Sequence, residues 1–200
     1  MPCNYQELEV KPLQVAATLC SPSLYSQSNI IKLEDPATKV MTDLSEVVAV
    51  TISPSSSLNE ANDLMIEKKI KLLFVTDAKE RIIGLITYSD LQGERPILFQ
   101  QSNNVPRSEI CVLDIMTGID TIDAMEWSAV EHAKVGDVFI TMEKLHRQHS
   151  LVLDNSNPDA YQIRGIFSIS VLSKLLGLEI DTTEVAKSFA EFGRVLGCDK

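Results

Sequence analysis

Two stretches of the chain share one pattern: Gly84-Leu85-Ile86-Thr87-Tyr88-Ser89-Asp90 and Gly165-Ile166-Phe167-Ser168-Ile169-Ser170-Val171. Each follows an apolar, β-branched run ending in aspartate, Leu72 to Asp77 in the first case and Ser150 to Asp154 in the second. Upstream lies another matched pair, Val40-Met41-Thr42 and Ile115-Met116-Thr117. The chain therefore repeats a unit of about 75–80 residues, and such a repeat constrains architecture more than any single motif. The copies part company where chemistry would reside. The first closes on a hydroxyl and a carboxylate, Thr87 and Asp90; the second keeps the hydroxyl of Ser168 and places Val171 at the carboxylate position.

Within the first copy, Val47 to Ile52 reads as a strand stopped by Ser53-Pro54. Ser57, with Glu60 three residues on, forms a capping-box pattern ahead of Leu58, Ala61, Leu64 and Met65 at helical spacing. Leu72 to Thr76 and Arg81 to Thr87 read as strands around an Asp77–Glu80 turn, and a short helix starts at Tyr88. The order is β-α-β-β-α. The second copy repeats it. A strand runs from Met125 to Val130, and a helix from Val135 to His146 carries Val135, Val138, Phe139, Met142 and Leu145 on one face. Strands at His149–Leu153 and Gln162–Ile169 and a helix at Val171–Leu176 complete the copy, with a longer turn at 155–160.

Outside the repeats, residues 1–38 carry Pro2, Pro12, Pro22 and Pro36 and sustain no period, which predicts an irregular arm. Gln100 to Arg107 is polar and proline-punctuated and reads as a linker. Thr182 or Thr183 can cap a last helix whose stripe, Val185, Phe189, Phe192 and Leu196, must pack on the repeats or on a partner chain.

Two hundred residues suffice to bury a core. Every apolar stretch breaks well before ~18 residues, and the N-terminus has no signal-peptide pattern. Cys3, Cys20, Cys111 and Cys198 show no paired spacing and read as free thiols, which suits a cytoplasmic protein. A net charge of −10 argues against a nucleic-acid or anionic-membrane surface. His132, His146 and His149 lack the spacing of a zinc site, and no P-loop, Gly-x-Ser-x-Gly or Gly-x-Gly-x-x-Gly occurs, so no enzyme is expected.

The β-α-β-β-α unit, with Val-Met-Thr ahead of it, Ile52-Ser53-Pro54 before the helix and Gly-Leu-Ile-Thr-x-x-Asp closing it, resembles the cystathionine β-synthase (CBS) domain. Ala61, Met65 and the spacing from Asp77 to Gly84 agree with the family, while Phe74 stands where many members have proline. The resemblance implies an α/β (α+β) fold of two CBS repeats packed as a pseudo-twofold pair, flanked by the N-terminal arm and the C-terminal helix. Its divisions are 1–38 (arm), 39–99 (first repeat), 100–110 (linker), 111–181 (second repeat) and 182–200 (helix). It further implies a regulatory role and a homodimer. No cofactor is required. The implied ligand is adenosine-containing (AMP, ADP, ATP or S-adenosylmethionine), bound in the cleft between the repeats, and a separate effector protein is a possible partner.

By the same resemblance, Thr87 and Asp90 contact the ribose, with Gly84 in the same motif. Ser53, Leu58, Leu72 and Leu73, flanked by Ile86, line the slot for the base. Chemistry supports the first pair, since a carboxylate accepts two hydrogen bonds and suits a vicinal diol. The phosphates would take cations from across the cleft, His146 and Arg147, with Arg164 nearby and Lys68 and Lys69 as counterparts in the first copy. Val171 cannot accept a diol, so one competent site per chain is expected. Two other readings stay open. Thr-x-x-Asp is also an ordinary helix cap, which would leave a ligand-free module acting through dimerisation or partner docking. The His146–His149 region could instead sense a metal or anion.

Overall fold

A computed structural model of the chain describes residues 6–12, 18–19, 31–157 and 161–176. The C-terminal helix expected at 182–200 lies outside the described residues, as does most of the N-terminal arm. The chain divides into two compact units, one built on Ala49–Ile122 and the other on Leu19–Val48 together with Asp123–Lys200.

From the arm, β1 (Val10–Pro12) and β2 (Thr18–Leu19) are short edge strands, and β3 (Thr42–Asp43) follows a 3-10 turn at Ala37–Lys39. The first repeat then gives β4 (Thr51–Ile52), α1 (Leu58–Lys68), β5 (Leu72–Thr76), β6 (Ile82–Thr87) and α2 (Tyr88–Gln92). The β-α-β-β-α order holds. The strand expected from Val47 shrinks to two residues because Val47 and Val48 are exposed, Val48 at 80 %. With no apolar partner to cover them, their β-branched side chains specify no pairing. The Ser57–Glu60 capping box forms as its sequence predicts. Ser57 N–H and Oγ both donate to Glu60, at 2.7 and 3.0 Å, and hold its carboxyl below the usual range.

The polar stretch expected to be a linker is partly helical. α3 runs Arg95–Asn103 with Pro96 in its first turn. Its sequence shows no amphipathic period because Ile97 and Leu98 face outward, leaving only Pro96 and half-buried Phe99 toward the core. α4 (Val112–Ile115) and β7 (Thr117–Gly118) follow.

The second repeat opens with β8 (Asp123–Glu126) and then α5 (Trp127–Val130), so Trp127 begins a helical turn where a continuous strand was expected. α6 (Val135–Leu145), β9 (His149–Asp154), β10 (Gln162–Ser168) and α7 (Ile169–Leu175) complete it. α1 and α6 end alike, on Lys69 and His146 with φ of 55° and 50°, so these two residues are the true counterparts of the repeat.

Strand pairing reveals which segments belong together. β4 runs parallel to β5, β5 antiparallel to β6, and β6 antiparallel to β7, giving the order β4-β5-β6-β7. The other sheet has β8 parallel to β9, β9 antiparallel to β10, and β3 antiparallel to β10, with β1 and β2 at its ends. Each compact unit therefore combines the body of one repeat with the Met-Thr leader of the other. Thr117 and Gly118 pair with Leu85 and Gly84, while Thr42 and Asp43 pair with Ile166 and Gly165. Both motif glycines lie at this junction. A Cβ on Gly84 would stand 2.5 Å from the Thr117 carbonyl and 3.0 Å from Met116 Sδ; one on Gly165 would overlap the Met41 thioether. The glycine of one repeated motif is thus the seat for the methionine of another.

Each unit has its own core. Leu58, Ala61, Met65, Leu73, Val75, Ile86, Leu91 and Ile110 fill the first; Met125, Val138, Phe139, Met142, Val152 and Phe167 are among those filling the second. Ser150 pairs with Phe167 as Leu73 pairs with Ile86, which puts a hydroxyl where the first repeat has a leucine. That hydroxyl is buried with no hydrogen-bond partner. Since an unpaired buried polar group costs rather than contributes, Ser150→Ala is expected to keep or raise stability by about 1 kcal/mol, measurable by urea denaturation. A loss above that size would show that the hydroxyl is satisfied.

Candidate functional site

Thr87 ends β6 and caps α2. Its Oγ accepts the Asp90 N–H at 3.2 Å, while Asp90 Oδ2 accepts the Thr87 N–H at 2.8 Å and the Thr87 hydroxyl at 2.7 Å. This closed ring of bonds uses one carboxylate oxygen completely. The other, Oδ1, lies 3.2 Å from Arg95 Nη1, with the Asp90 side chain 15 % exposed and that of Arg95 45 %. Arg95 Nη1 also donates to the Ile115 carbonyl at 2.9 Å and to Thr117 Oγ1 at 3.0 Å. The guanidinium therefore ties the cap to the leader strand seated against Gly84. Sequence reasoning sought cations at Lys68, Lys69, His146, Arg147 and Arg164 and passed over Arg95. The signal available was its place five residues after Asp90, just beyond the short α2.

Strand register fixes the neighbours of this cap. Leu72 pairs with Thr87, and the Tyr88 N–H donates to the Lys71 carbonyl at 2.9 Å. Thr51 pairs with Phe74, and the Phe74 N–H donates to Val50 at 3.1 Å, which brings Ala49 level with Leu72. Ala49, Leu72 and Thr87 form one row across the sheet, with Val50 and Ile70 only partly buried beside it.

Other expected contacts fall elsewhere. Ser53 follows Ile52, which pairs with Val75, so it lies near Thr76, about 13 Å along β5 from Leu72. There its hydroxyl meets that of Ser55 at 2.9 Å and closes the turn ahead of α1. Leu58 of α1 and Leu73 and Ile86 of the sheet share one core, with exposures of 3 %, 0 % and 0 %, so they offer no surface to a ligand. Gly84 is occupied by the leader strand. His146 and Arg147 are exposed residues at the end of α6, in the other compact unit.

In the second copy, Ser168 precedes α7 without capping it, and its hydroxyl instead meets that of Ser170 at 2.9 Å. Val171 supplies no acceptor, so the bond ring of the first copy has no counterpart. The charged feature here is Arg164. Its Nε reaches Asp43 Oδ1 at 3.1 Å and its Nη2 reaches Asp43 Oδ2 at 3.1 Å, and the guanidinium lies 4.8 Å from the Trp127 ring centre. Burial pushes the Asp43 carboxyl up, but the bonds from Arg164 and Ser45 outweigh it and hold the group below its ordinary range. Arg164 is a structural clamp.

Residues 37–95 match the family model of the CBS domain. A CBS-domain containing protein from Agrobacterium tumefaciens has the same fold, at 21 % identity and a TM-score of 0.51 over 76 % of this chain and 98 % of its own. Residues 37–95 are similar to the CBS domain, and the fold is that of CBS-domain pairs. An uncharacterized conserved protein from Pyrococcus horikoshii shares it, with 24 % identity and a TM-score of 0.55, covering 76 % of this chain and 99 % of that one. The chain is also 24 % identical to a probable manganese-dependent inorganic pyrophosphatase from Thermotoga maritima. The alignment covers 96 % of the chain but only 35 % of that enzyme, so the chain spans about a third of its curated relative's length. No helix among the described residues is long and apolar enough to cross a membrane.

Proposed function

We propose that this chain is a regulatory module, without catalysis of its own, that binds an adenosine-containing ligand at the Thr87–Asp90 cap. AMP, ADP, ATP and S-adenosylmethionine are the candidate ligands. The observation that carries the reading is the Asp90 carboxylate. One oxygen is locked by Thr87, and the other pairs, among the described residues, with Arg95 at a partly open position. A carboxylate already held in place loses little freedom on accepting a sugar hydroxyl. Ala49 on the Thr87 row, with partly buried Val50 and Ile70 beside it, would supply apolar surface for a base. Binding would favour one of two conformational states, and an effector protein with different affinity for those states would sense the ligand. A homodimer acting in the cytoplasm fits this role.

One observation favours a second reading. Thr87 and Asp90 satisfy each other as a cap with no ligand, and Ile66, Tyr88, Ile97, Leu98 and Leu113 are exposed on the helices of the same unit. An interaction module would use those helices to dock a partner. A thermal-shift titration separates the two. A ligand at 100 times its dissociation constant adds about 2.7 kcal/mol to stability. The adenosine-ligand reading expects such a shift in the wild type and none in Asp90→Ala. Asp90→Ala also lowers the unliganded baseline by about 1 kcal/mol through the lost cap. No shift in either protein would favour the interaction module, whereas equal shifts in both would place the ligand away from Asp90.

A further inference from the structure

We propose that Arg95 makes this site selective for a phosphate-bearing nucleoside over the uncharged nucleoside; the inference rests on the ligand-site reading above. Every bond that orients Arg95 passes through Nη1, to Ile115 O, Thr117 Oγ1 and Asp90 Oδ1. Among the described residues, Nε and Nη2 have no partner. These two groups form the opposite edge of the guanidinium, the fork that binds oxyanions in a bidentate manner. The side chain is nearly half exposed, and the contacts at Nη1 already fix the plane of the guanidinium.

An arginine free to move would offer the same charge but would lose rotamer freedom on binding. Here the folded chain has already fixed the side chain by seating it on the leader strand. The charge is permanent, because guanidinium does not deprotonate in proteins. Asp90 Oδ1 and the fork lie on the same guanidinium, so the natural ligand presents a hydroxyl and an oxyanion a few ångströms apart, as a sugar phosphate does. Lys71, whose carbonyl accepts the Tyr88 N–H, is a second exposed cation one residue from the Thr87 row.

The test is isothermal titration of the full chain with AMP, adenosine and S-adenosylmethionine, in wild type, Arg95→Gln and Arg95→Lys. Wild type should bind AMP at least about tenfold more tightly than adenosine, the gain expected of a charge-assisted bidentate contact. In Arg95→Gln that ratio should collapse to near one. Arg95→Lys keeps the charge without the fork and should fall between. It decides the matter if Arg95→Gln loses its fold, which a thermal melt reports. An AMP-to-adenosine ratio that survives both substitutions, or wild-type affinity higher for S-adenosylmethionine than for AMP, overturns the role of Arg95 and leaves the ligand site standing. Failure of all three compounds to bind wild type overturns the site and this inference together.

Discussion

Gly84→Ala should lower the unfolding free energy by about 1–3 kcal/mol, the range of an overpacked core. The corresponding change at Gly165 should cost less. Both glycines let a leader strand approach closely, but the obstacles differ in kind. The new methyl at position 84 meets the Thr117 carbonyl at 2.5 Å, and that carbonyl belongs to a strand held by backbone bonds on one side and by Arg95 on the other. At position 165 the nearest atoms the methyl meets belong to the Met41 side chain, a flexible thioether that can change rotamer. Urea denaturation of the single variants and of Gly165→Ala with Met41→Ala would test the distinction. The double variant should be more stable than the sum of its parts predicts, because removing the thioether removes the clash. A Gly84→Ala protein within about 0.5 kcal/mol of wild type, the scatter of ordinary surface changes, would mean that β7 is loosely seated.

Asp43→Asn should remove about 1–2 kcal/mol near neutral pH and almost nothing in acid. The bidentate pair with Arg164 is largely shielded, with side-chain exposures of 27 % for Arg164 and 19 % for Asp43, so solvent does not fully screen it. Because the folded pKa of Asp43 is depressed, its stabilisation is present above the unfolded value of about 3.9 and disappears as pH falls through the folded value. Denaturation curves from pH 6 down to pH 3 should therefore show the wild type converging on Asp43→Asn at the acid end. A constant gap across that range would mean that the contribution of Asp43 is packing and not charge. Trp127 offers a second readout, since its fluorescence should change when the guanidinium stacked on it loses its carboxylate partner.

Much of this molecule was legible in one dimension. The repeat, the β-α-β-β-α order and the Ser57–Glu60 capping box all follow from patterns spanning a few residues, and each forms as read. Hydrophobic period also placed Val135, Val138, Phe139 and Met142 on the buried face of α6. It failed where burial and period disagree. α3 was invisible because its apolar side chains Ile97 and Leu98 face outward, and Trp127, expected within a strand, begins a helical turn and lies against Arg164.

The candidate site shows the same division. A local motif brought Thr87 and Asp90 together, since residues three apart at a helix start are bound to meet. Which apolar residues surround them is set by strand register. Register put Leu72 beside the cap, buried Leu58 and Ile86 in the core, and carried Ser53 to the far end of β5. The sequence by itself determined the repeated unit and its cap, because short-range hydrogen bonds and hydrophobic period are written in neighbouring residues. Only the tertiary structure decided that each Met-Thr leader pairs with the other copy and that Arg95 reaches Asp90. Pairing between distant segments depends on where the chain returns in space, and two near-identical leaders carry no mark of which partner they will meet.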